Sequence, residues 1–86
     1  MKAGTTSTGF SYELADERLG DYETFEMLTE VEAGNTSALP RALRALLGDE
    51  QHDALKAHLK ELNGGRVPIE AMMAEVQDIL TGPAKN

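Results

Sequence analysis

Cysteine is missing from all 86 residues. Disulfides, thiolate catalysis and Cys-ligated zinc are therefore absent, and stability must come from packing or from partners. Basic residues are scarce: eight Lys/Arg stand against fifteen Asp/Glu, a net charge of −7. That balance argues against a nucleic-acid binder, which needs clustered cations for phosphate contacts. No apolar run approaches the ~18 residues of a membrane span. No apolar stretch of the signal-peptide kind follows Met1-Lys2, so a cytosolic protein is expected. The length suits one small domain and cannot hold two cores.

What is present is helical periodicity. Residues 1–9 are small and polar and read as a disordered tail, and residues 82–86 read as a frayed tail, leaving 10–81 as one helical domain. Phe10, Tyr12 and Leu14 alternate with polar residues, the period of a short strand. Such an arm either docks on the helices or pairs with an edge in another chain. Four helices are expected after it, over about 22–33, 37–47, 50–62 and 68–80, punctuated by Gly34, Gly48, Gly64-Gly65 and Gly82-Pro83. Their apolar stripes are Tyr22/Phe25/Leu28/Val31, Leu39/Leu43/Leu46/Leu47, His52/Leu55/Leu59/Leu62 and Ile69/Met73/Val76/Leu80. Asp21 and Asp49 are the expected N-caps. The fold class is an all-α compact bundle of about four helices with an extended N-terminal arm or short strand.

Charge is uneven. Residues 1–33 carry eight acids and two bases, a balance of −6, whereas residues 34–86 carry seven acids and six bases. This is either a solvated face or an acidic patch that steers basic partners.

Groups that could perform chemistry do not converge. His52 and His58 are six residues apart, about 120° around one helix, and cannot share a metal from it. His52 falls on the apolar stripe as a neutral packing residue, and His58 lies off it, toward solvent. The acids of 49–53 match no calcium loop and suit a helix N-terminus instead. Gly64-Gly65-Arg66 lacks the Lys and hydroxyl of a P-loop. Neither Ser37 nor the Thr5-Thr6-Ser7-Thr8 run has a partnered base in the sequence. Ser37-Ala38-Leu39 also lacks the Asp expected before a carrier protein's modified serine. A non-enzymatic protein without metal or cofactor is expected.

Interaction remains. On the last helix, Met72 and Ile79 extend the apolar stripe into a shoulder. Either the first helix or the arm covers it, or it stays exposed as part of a groove for a partner helix or a second subunit. Met72, Ile79, Phe10, Tyr12 and Leu14 are accordingly the candidate partner-binding residues. Adjacent Met72-Met73 suits an adaptable contact surface as well as it suits a small core.

From Phe10 to Leu80 the chain resembles the small tail assembly chaperones of long-tailed phages and prophages of low-GC, Gram-positive hosts. The carrying segments are Phe10-Ser11-Tyr12-Glu13-Leu14, Asp21-Tyr22-Glu23-Thr24-Phe25-Glu26-Met27-Leu28, Leu39-Pro40-Arg41-Ala42-Leu43, Leu46-Leu47-Gly48-Asp49-Glu50-Gln51 and Gly65-Arg66-Val67-Pro68-Ile69-Glu70-Ala71. The resemblance implies a protein that binds the long, helical, aggregation-prone tape measure protein and keeps it soluble while tail tube subunits polymerise around it. It also implies action in the host bacterial cytoplasm, no enzymatic activity, and contacts with the tail tube protein and with a longer, frameshifted form of the chaperone. A homo-oligomer is compatible with it. The alternative is a small acidic helical adaptor or antitoxin-like regulator of another protein.

Overall fold

The computed structural model describes residues 2–81. The expected frayed tail at 82–86 lies outside the described residues, as does Met1. The chain begins with a β-hairpin: β1 (Lys2–Thr5) pairs antiparallel with β2 (Ser11–Leu14), Lys2 opposite Leu14 and Thr5 opposite Ser11. Residues 2–9 are therefore a strand and a turn, and the disordered-tail reading is corrected there. Lys2-Ala3-Gly4-Thr5 has no apolar alternation, so its strand rests on backbone pairing that a periodicity search cannot detect. The turn closes through Thr6 N–H to the Phe10 carbonyl at 2.8 Å and Gly9 N–H to the Thr6 carbonyl at 2.9 Å. Gly9 holds φ +97°, a conformation that suits glycine.

A single helical turn, α1 (Asp16–Leu19), leads into α2 (Tyr22–Glu32). Asp21 caps α2 as expected, its carboxylate accepting from the Thr24 N–H at 2.9 Å and the Thr24 hydroxyl at 3.0 Å. A 3₁₀ turn at Thr36–Ala38 feeds α3 (Leu39–Leu47), and α4 (Asp49–Leu62) and α5 (Ile69–Thr81) follow. Asp49 makes no capping bond; it is the first residue of α4 and pairs with Arg44 at 3.4 Å. From α1, Arg18 reaches the end of α3 and donates to the Ala45 carbonyl at 2.9 Å, satisfying one of its orphan acceptors. Gly48 leaves room for that arm: a Cβ there would stand 3.2 Å from the guanidinium.

The architecture is mostly helical around one core, with the small sheet as its N-terminal flank. Leu14, Leu43, Leu46, Leu55, Leu59 and Ile79 are its largest fully buried apolar side chains. The arm thus pairs within its own chain and docks on the bundle.

Two helices are rotated from their expected faces. In α2, Val31 is buried while Tyr22 and Phe25 are 70% and 60% exposed. Tyr22 and Val31 are about 180° apart on the wheel, so burying one turns the other outward. In α5 the buried set is Met72, Glu75, Val76 and Ile79, whereas Ile69 is 63% exposed. The helix has turned about 80° from the expected stripe toward its shoulder. Leu62, the last residue of the α4 stripe, is also exposed.

Candidate interaction surfaces

Phe10, Tyr12, Leu14, Met72 and Ile79 are brought together, but inside the core, where all five are buried. They build the fold, and of them Met72 also lines a surface pocket. Of the two readings of the α5 shoulder, the covered one holds, because the hairpin turn is tied to this helix. The Ser7 N–H and hydroxyl both donate to the Asp78 carboxylate, at 3.0 and 2.7 Å. Beside it the Thr8 hydroxyl donates to Glu75 Oε2 at 2.6 Å and lies 3.1 Å from His58 Nε2. His58 is therefore engaged rather than simply solvated, with its ring 5.7 Å from that of Phe10.

This cluster of a hydroxyl, an imidazole and a carboxylate is built as a clamp. Glu75 accepts the Thr8 hydroxyl proton, and His58 Nε2 and the Thr6 hydroxyl lie 3.1 and 3.2 Å from the Thr8 hydroxyl oxygen. Glu75 is 1% exposed and its second oxygen, Oε1, has no hydrogen-bond partner. The Ser7 hydroxyl, and then the Ser7 N–H, hold the Asp78 carboxyl below its ordinary range. Sequence reasoning missed the clamp because its halves are 67 and 71 residues apart. A residue run without a local partner gives no sign of a distant one.

Two surface concavities flank α5. The first is a groove of about 430 Å³ between α2 and α5, walled by Leu28 and Val31 on one side and Met73, Val76 and Leu80 on the other. Glu32 and Glu70 stand at its rim. Residues expected at the centre of the α5 stripe thus line an open groove, because the helix has rotated. The second, about 260 Å³, lies among α3, α4 and the start of α5, where Leu39, Leu43 and Met72 meet the cationic side chains Arg44 and Lys56. His52 borders it, buried, with Nδ1 3.4 Å from the Asp53 carboxylate. Burial, followed by the Arg44 charge, holds the His52 pKa below the ordinary histidine value. Its neutral packing role agrees with the sequence reading.

Among the described residues, no group of three or more His, Asp or Glu is placed to hold a metal ion. No described helix is long and apolar enough to cross a membrane. No protein-family model, curated protein or solved structure matches the chain.

Proposed function

We propose that this chain is a phage tail assembly chaperone that binds the tape measure protein and keeps it soluble during tail tube assembly. The observation that carries the reading is the α2/α5 groove, an apolar trough bounded by carboxylates. An amphipathic helix places its i, i+3, i+4 and i+7 side chains in such a trough. Basic residues on that helix would meet Glu32 and Glu70 at the rim, and the −6 balance of residues 1–33 would steer it there. The resemblance carried by the segments from Phe10 to Ala71 supplies the identity of the helix donor. In this reading the protein works in the host cytoplasm without cofactor or chemistry, and the tail tube protein and a longer frameshifted form are its further contacts.

Co-expression with the tape measure protein of the same gene cluster tests the proposal. The tape measure protein should become soluble and co-purify with the chain, and Met73→Asp should abolish co-purification while the variant stays folded. A tape measure protein that remains insoluble, with no complex recovered, overturns the function. Full binding by folded Met73→Asp overturns the groove as its site.

A further inference from the structure

The second concavity and the outer face of α2 are complementary. On a chain of net charge −7, the 260 Å³ pocket is bordered by two cations, Arg44 and Lys56, around an apolar floor of Leu39, Leu43 and Met72. Among the described residues Arg44 pairs with exposed Asp49 alone, at 3.4 Å, and Lys56 has no carboxylate partner. Ile69, exposed at the pocket's edge, adds apolar surface. The outer face of α2 carries the opposite set. Tyr22 and Phe25 stand side by side, ring centroids 6.4 Å apart, both largely in solvent. Exposed Glu23 and Glu26 flank them.

We propose that these are the two halves of one contact between copies: the Tyr22–Phe25 pair of one chain seats in the Arg44/Lys56-bordered pocket of the next. An aromatic anchor entering a desolvated pocket is the arrangement that concentrates binding energy at interfaces. The glutamates beside it meet the cations at the rim, which sets orientation and excludes the like-charged faces of the same chain. Within one chain the halves do not meet, since Phe25 remains exposed. A second copy fits better than an unrelated protein because both halves, matched in charge and in apolar character, are carried by the same 86 residues. One such contact leaves the opposite half free on each chain, so further subunits are expected to add head to tail past a dimer. It shares no residue with the lining of the α2/α5 groove and does not depend on the function proposed for that groove.

Sedimentation velocity of the full chain, from micromolar to millimolar concentration, tests this. The wild-type mass should rise with concentration past that of a dimer, and less steeply at high salt. Phe25→Ser, Lys56→Glu and Ile69→Glu should each weaken association at least tenfold with circular dichroism unchanged; the first and last alter exposed positions and keep the fold. The decisive arm mixes Phe25→Ser, which keeps the pocket, with Ile69→Glu, which keeps the aromatic pair. The mixture should form a one-to-one complex and nothing larger. A wild type that stays monomeric at millimolar concentration overturns the proposal. So does association that survives Phe25→Ser, or a mixture that fails to pair.

Discussion

The hairpin and α2 both carry spaced apolar residues, and they meet solvent in opposite ways. Phe10, Tyr12 and Leu14 are all buried, whereas α2 buries Val31 and leaves Tyr22 and Phe25 outside. Apolar content does not separate them. What differs is where their polar groups find partners. Ser7 and Thr8 bond to Asp78 and Glu75 on α5, and Glu13 exchanges two 2.7 Å backbone bonds with the Gln51 side chain on α4. In α2 the side-chain bonds stay local, as in Asp21 to Thr24 and Asn35 to Glu30. A segment whose polar groups are satisfied by distant elements is held in the core. One whose polar groups are satisfied locally is free to face outward.

The strongest way to break this contrast is to charge the buried face of α5. Met72→Asp should cost several kcal/mol and unfold the domain, because it buries an unpaired carboxylate. Met73→Asp, half-buried in the groove, should leave it folded; thermal melts of the two variants compare the helix faces directly. If Met73→Asp is the more damaging, α5 is not rotated as described.

Next in size is Leu14→Ala, expected to cost about 2–5 kcal/mol in denaturant unfolding as a core truncation. Deleting residues 1–9 removes β1 and the bonds to Asp78 and Glu75 and should lower the melting temperature by several degrees. An unchanged melting temperature would return the hairpin to the status of a loose arm.

Acid should sharpen the contrast in two separate windows. His52 binds a proton less readily in the fold, so the unfolded chain takes it up first. Stability should therefore fall as pH drops from about 6.5 toward the lower folded value, and His52→Gln should flatten that limb. Asp78 is held in its charged form, so its contribution is present above about pH 3.8 and is lost as pH falls through its lower folded value. Asp78→Asn should remove this second limb and leave the first. Melting temperatures from pH 8 to pH 2 separate the two.

The smallest effect on stability belongs to α2. Tyr22→Ser and Phe25→Ser should each change unfolding free energy by no more than about 0.5 kcal/mol, as exposed positions do. A larger loss in chemical denaturation would mean that these rings support the fold after all.

Much of this architecture was legible in the sequence. Gly34, Gly48, Gly64-Gly65, Pro40 and Pro68 punctuate the helices, and the expected boundaries of α2 to α5 fall within about two residues of those observed. Leu39, Leu43, Leu46 and Leu47, which the periodicity puts on one face, are buried together. The azimuth of α5 was not legible. A helical wheel ranks apolar directions but does not know what packs against them, and here Thr8 and Ser7 bond to Glu75 and Asp78, two residues that a wheel assigns to solvent. Tyr22, Phe25, Leu28 and Val31 formed a drifting arc, and only contact with the rest of the bundle decides which end of it is covered. The groove and the pocket depend on those rotations, so neither could be read from periodicity.

The tie between Ser7 and Asp78 also sets an order of events in time. It joins residues 71 positions apart, so it is among the last contacts that a growing polypeptide can make. While the ribosome is still producing α5, the hairpin has emerged but Asp78 and Glu75 have not. Phe10, Tyr12 and Leu14 then have no shoulder to close upon. Closing so long a loop is slow compared with forming the local helices. Nascent chains arrested before residue 75 should be cleaved readily by protease near the hairpin, and chains arrested once α5 has fully emerged should resist. The hairpin, made before every helix it packs on, would then be among the last parts of the fold to find its place.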